Sequence, residues 1–185
     1  MLHPSNQPDH QRVALPKRGQ SMIFGMTPYT FFHVVISLIG IFTGFIALFG
    51  MIAGKRLDGW NGIFLITTAL TSITGFFFPF HGLTPGYYVG AISLLVLAVA
   101  IPARYAKQLA GAWRKIYAVT ASIALYLNVF VLIAQLFMKV PSLHVLAPTG
   151  SEPPFLISQV VVMAIFIVLT IAAAIKFHPE AVRAS

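Results

Sequence analysis

The sequence predicts an all-α polytopic membrane protein: a bundle of five transmembrane helices, with the amino terminus outside and the carboxyl terminus cytoplasmic. Three observations carry that expectation. Five apolar windows approach spanning length, only 9% of residues are charged while 58% are apolar, and the Lys and Arg residues collect in the gaps on one side. Charged side chains make up about 25% of a soluble domain, so water alone is a poor solvent for this chain and the bilayer is the better one. A hydrocarbon core about 30 Å thick takes about 20 helical residues at about 1.5 Å each. The windows are continuously apolar, whereas a barrel strand alternates every second residue.

The first window, 29–53, has Ser37, Gly40, Gly44 and Ala47 at intervals of three and four. They form a smooth stripe on one helix face, the kind that lets two backbones approach closely in lipid. His33 lies on the same stripe, about one turn inside the outer interface. The second window, 60–80, is hydroxylated: Thr67, Thr71 and Thr74 share one face, and Thr68, Ser72 and Gly75 the adjoining one. The third, 87–103, is the shortest and has Pro102 near its end, which predicts little tilt or a finish in interfacial turns. In the fourth, 116–138, Tyr117, Asn128 and Gln135 fall almost in line. Asn128 sits near the bilayer centre, where an amide facing lipid loses its hydrogen bonds at a cost of several kcal/mol. That face is expected to meet the hydroxyl face of the second window. The fifth window is 155–177.

Orientation follows from the depletion of Lys and Arg in translocated segments. Lys55, Arg56, Arg104, Lys107, Arg114, Lys115, Lys176 and Arg183 fall on one face, which is expected to be cytoplasmic. Lys139 and the tail residues Arg12, Lys17 and Arg18 fall on the other. The membrane domain is placed at 26–178, with a cytoplasmic tail at 179–185. The polar segment 1–25, with prolines at 4, 8 and 16, is expected to be disordered. Its three basic residues fit an outside location badly, and translation from Met22 or Met26 would remove them.

Candidate chemistry is sparse. His33, His81 and His144 all fall toward the outer face, and neutral imidazoles there suit a divalent metal or haem b. The competing reading is a histidine hydrogen-bonded to a neighbouring helix, and no cofactor is required by the sequence. The hydroxyls of the second window with Asn128 and Gln135 suit either interhelical hydrogen bonds or a path for a small neutral solute. No acidic or basic residue falls inside a window, which disfavours ion-coupled transport. The four acids lie on different segments, and neither GxSxG, HExxH nor a phosphate-binding glycine loop occurs. The net charge of +8 sits at helix ends, where it suits lipid headgroups better than nucleic acid. The connection 139–154 carries Pro141, Pro148, Pro153 and Pro154, and places His144 and Glu152 together on the outer side.

The strings TPYT (27–30), GKRLDGW (54–60), FLITTALTSITG through FFFPFHG (64–82), ALYLNVFVLIAQLF (124–137) and SEPPF (151–155) resemble a group of small bacterial multi-pass inner-membrane proteins of uncharacterised function. The resemblance covers about 26–177 and implies an inner-membrane location without an activity. The leading expectation is a non-enzymatic accessory or assembly component with a lipid bilayer around it and a membrane-protein partner. The alternatives are a haem- or metal-binding redox protein using His33 with His81 or His144, and a passive solute pathway.

Overall fold

The computed structural model describes residues 26–78 and 85–178. The described residues are 81% helical and contain no strand. The helices are α1 (Pro28–Ile52), α2 (Asp58–Gly75), α3 (Pro85–Tyr105), α4 (Trp113–Lys139), the short α5 (Pro141–His144) and α6 (Pro153–Lys176). Four of them, α1, α3, α4 and α6, are long and apolar enough to cross a membrane. The fourth of the expected windows agrees with α4 to within a turn at each end. The chain divides into residues 1–32 and 33–185. In the first unit, Thr27 caps the start of α1 by accepting the Thr30 N–H at 3.2 Å, beside a proline whose missing N–H costs nothing there.

Helix α1 ends in a tight reversal. Lys55 N–H bonds the Gly50 carbonyl at 2.8 Å and Gly54 N–H bonds that of Met51 at 3.0 Å, with Gly54 at φ +73°. Those two bonds satisfy carbonyls that the helix leaves open, and the left-handed residue between them favours glycine. Helix α3 runs through Pro102 to Tyr105 rather than stopping at 103. It tolerates the proline because the site is within a turn of its end, where Ala106 and Lys107 N–H groups both close on the Pro102 carbonyl at 2.9 Å. Helix α2 begins at Asp58, two residues before the expected window, and stops at Gly75, where Phe76 and Phe77 tighten into a final turn on Ile73 and Thr74. The expected end of that window, at 80, lies outside the described residues.

Packing follows the small residues. Gly40 and Gly44 of α1 are buried against α2 and α4, with Ala47 almost fully covered beside them and Ser37 half-buried. A Cβ at Gly44 would lie 2.6 Å from Leu125 Cδ1 and 2.8 Å from Phe64 Cδ2, and one at Gly40 would lie 3.1 Å from Thr67 Oγ1. Helix α4 buries an alanine-rich face, with Ala118, Ala121 and Ala124 around Tyr117 and Leu125, and packs on both α3 and α6. Helix α3 contributes Ser93, Leu97, Ala100 and Arg104, one stripe at intervals of three and four. Helix α6 buries only Gln159, Phe166 and Ala173, seven residues apart. Phe166 packs at a tilt against Tyr126 and Phe45, with ring centres 5.6 and 6.0 Å away.

Replacing Gly44 by alanine should lower thermal stability in detergent by about 1–3 kcal/mol, because Leu125 and Phe64 are both core side chains that must give way. Gly40→Ala should cost less, and Gly59→Ala, with no atom within 4 Å of the new Cβ, should be neutral. Equal melting temperatures for all three variants would contradict this account of the interface.

Candidate functional site

Helix α2 collects the polar contacts of the bundle. Asn61, Thr68 and Ser72 are buried along one face, while Ile63, Ile66, Leu70 and Ile73 stand exposed on the other, as does Phe77 just past the helix end. The buried face meets α4 and then α3. Near the start, the Tyr117 hydroxyl donates to Asn61 Oδ1. About two turns further on, Asn128 Nδ2 donates to Thr68 Oγ1 at 3.1 Å. Next, the Ser72 hydroxyl bonds Ser93 Oγ of α3 at 3.0 Å. On the flank toward α1, His33 Nδ1 lies 2.8 Å from Thr74 Oγ1.

Asn128 and Tyr117 both turn toward α2, as their alignment on α4 implies, but Gln135 is exposed. Helix α4 has 27 residues and α2 only 18, so α4 outruns its polar neighbour before reaching Gln135. Thr67 returns its hydroxyl to the Ile63 carbonyl at 2.7 Å and Thr74 returns its own to Leu70 at 2.7 Å. Such back-bonding satisfies a hydroxyl inside its own helix. Thr71 Oγ1 is buried without a hydrogen-bond partner among the described residues. Thr74 Oγ1 therefore sits between the Leu70 carbonyl and His33 Nδ1, and the His33 ring rests edge-on against Phe78 at 5.0 Å. Ser37 bonds back to the His33 carbonyl at 2.7 Å.

His81 lies outside the described residues. His144 ends α5 and is exposed, and no contact brings it to His33. Among the described residues, no group of three His, Cys, Asp or Glu side chains could hold a metal ion. Glu152 has a local role. Its carboxylate accepts the backbone N–H groups of Thr149 and Ser151, each at 3.0 Å, closing the turn before α6. Lost hydration raises the Glu152 pKa, but hydrogen bonds from the Thr149 backbone and side chain and from the backbone at 151–152 outweigh it and hold the carboxyl at about 2 instead of 4.5.

The most elaborate polar group lies at the opposite end and was not singled out in the sequence. Arg104, near the end of α3, is 1% exposed. Its Nη2 pairs with Asp58 Oδ1 at the start of α2 and reaches the Arg56 carbonyl at 3.4 Å. Arg56 Nε also bonds Asp58 Oδ1, at 2.8 Å, and Arg56 Nη2 reaches Gln108 Oε1 at 3.3 Å. The Arg104 guanidinium lies 5.1 Å from the Tyr117 ring centre and 5.8 Å from that of Tyr105. Asn61, fully buried, uses Nδ2 to hold the carbonyls of Arg56 and Leu57 at 2.8 and 3.0 Å. Leu57, Gln108 and Leu109, the non-glycine residues with positive φ among the described residues, all border this cluster. The available signal was Asp58 with Asn61 three residues on, which share a face at a helix start, opposite an arginine flanked by Ala100 and Ala103. Gln159 was also missed. Its Nε2 bonds the Phe130 carbonyl at 3.1 Å, joining α6 to α4.

Comparison with protein-family models, with characterised proteins and with solved structures finds no match for this chain.

Two outcomes follow from these contacts. Asp58→Ala leaves the buried Arg104 without its carboxylate and should cost about 2 kcal/mol in a denaturation midpoint measured in detergent, the worth of one charged hydrogen bond on a solvent-facing partner; an unchanged midpoint would contradict the pairing. For Glu152, the folded value is depressed, so its stabilisation is complete above pH 4.5 and is lost as pH falls toward 2. Amide chemical shifts of Thr149 and Ser151 should therefore titrate with a midpoint near 2 and stop titrating in Glu152→Gln, whereas a midpoint near 4.5 would refute the turn.

Proposed function

We propose that this chain is a five-span protein of the bacterial inner membrane, with its amino terminus outside and its carboxyl terminus cytoplasmic, acting as a non-enzymatic accessory or assembly component. The observation that supports the fifth span is the inverted character of α2. Its outward side is Ile63, Ile66, Leu70 and Ile73, while Asn61, Thr68 and Ser72 are turned inward. Water would favour the reverse arrangement, and lipid favours this one. With 18 residues, α2 is about 27 Å long by helix rise, close to a hydrocarbon core of about 30 Å.

The accessory role rests on how the polar groups are used. Asn61, Thr68, Ser72, Asn128, Gln159 and Tyr117 each bond across to a neighbouring helix or connection. Hydrogen bonds of this kind give about 0.6 kcal/mol each on average and fix register. The helix with the most uncovered surface is α6, where Ile157, Val160, Val168 and Ile171 are all more than half exposed. That side is where a partner helix would lie.

The chain has no cysteine, so single substitutions report sidedness cleanly. Ala53→Cys and Ala110→Cys should react with an impermeant maleimide only after the cells are permeabilised, and Gly82→Cys and Val145→Cys in intact cells. Matching behaviour of positions 53 and 82 would remove α2 from the membrane. A photo-crosslinking residue at Val168 should give a discrete protein adduct at native expression, and one at Ile66 on α2 should give none. Lipid adducts alone at both positions would end the accessory reading.

A further inference from the structure

The ends of α1, α3 and α6 and the starts of α2 and α4 meet at one end of the bundle. The Arg104 to Asp58 pair joins α3 to α2, Tyr117 joins α4 to Asn61, and Phe177 lies 6.4 Å from the Tyr117 ring. A Cβ on Gly54 would come within 3.8 Å of the Lys176 carbonyl, which brings in α1. Lys55, Arg56, Arg104, Lys107, Arg114, Lys115 and Lys176 therefore share this end with a single described acid, Asp58. That carboxylate is already held by Arg56 and Arg104. The other described acid, Glu152, stands at the far end, before α6.

The start of α4 is where this excess is least compensated. Helix N-termini carry positive partial charge and favour acids, yet the first turn of α4 has none, and Arg114 and Lys115 stand there instead. Ala112 at the cap has no side chain to offer. Lys107 is held beside them, its Nζ 5.6 Å from the Trp113 ring centre. Two guanidinium donors remain unspent among the described residues: Arg114 Nε, and Nη1 of the buried Arg104, whose guanidinium rests on Tyr117 one turn into α4. Cations set against a positive helix end repel one another unless an anion outside the chain completes them.

We infer that this end is a docking surface for anionic phospholipid headgroups, with Lys107, Arg114 and Lys115 facing the phosphates around the start of α4. The aromatic neighbours fit that depth: Trp113 is half-buried and Tyr105 is exposed, and such side chains settle at the headgroup level. A headgroup with net negative charge satisfies the site; a zwitterionic one brings its own cation.

This inference rests on the membrane reading above, and one experiment separates the two. The chain has two tryptophans, so Trp60→Phe leaves Trp113 as the sole emitter in reconstituted vesicles. Brominated phosphatidylglycerol should quench Trp113 more strongly than brominated phosphatidylcholine at equal mole fraction, and high salt should erase the difference. Lys107→Gln with Lys115→Gln should weaken the preference roughly fivefold for each charge removed, and Lys139→Gln at the other end should leave it intact. Equal quenching by both lipids in low salt would overturn the docking surface alone. Absence of quenching by either lipid would overturn the membrane reading itself. Loss of the preference on adding inorganic phosphate at constant ionic strength would assign the site to a soluble anion and overturn the lipid.

Discussion

A buried amide or hydroxyl has no water to bond, and among the described residues α2 buries more such side chains than any other helix. Asn61, Thr68 and Ser72 are each turned away from its apolar exposed side and each bonds a residue of another helix. Asn61 meets α4 and the connection before α2, Thr68 meets α4 higher up, and Ser72 meets α3. His33 adds the contact to α1 through Thr74. The arrangement of the other helices around α2 follows from satisfying these groups, while the glycines of α1 and the alanines of α4 set how closely the backbones come.

The two ends of the bundle are built differently. At the end that holds α5, the connection after α4 is short-range: α5 folds on its own backbone, and Glu152 closes a turn with residues one and three positions before it. At the basic end, the contacts are between segments far apart in the chain, as in Arg104 to Asp58 and Tyr117 to Asn61. Backbone strain gathers there as well, at Leu57, Gln108 and Leu109. Left-handed conformations cost non-glycine residues free energy and persist where surrounding contacts enforce them. Asn61 supplies that enforcement for Leu57, and burial of the Leu109 side chain supplies it for the second connection.

The apolar windows were legible because length and continuity alone define them, and α1, α3, α4 and α6 lie where those windows fall. The stripe through Gly40 and Gly44 and the inward turn of Asn128 were legible for a related reason: helical periodicity fixes a face before any partner is known. Periodicity does not say where a neighbour ends, which is why Gln135, in line with Asn128, emerges into the open above α2. Nor does it weigh a charge. Arg104 reads as one more basic residue at a helix end, and only the approach of Asp58, Asn61 and Tyr117 from two other helices makes it a buried one. The outer histidines share a side of the membrane in the sequence, but a shared side is a far weaker condition than a shared site.

The bond between Thr68 and Asn128 spans 60 residues of chain, and that between Asn61 and Tyr117 spans 56. A ribosome works from one end, so α2 is complete well before either partner on α4 exists. During that interval its amide and hydroxyls have only α1 of the finished bundle beside them. The helix with the most buried hydrogen-bonding side chains is the second to be made and waits for the fourth, so the order of synthesis imposes a delay in assembly that the finished bundle no longer displays.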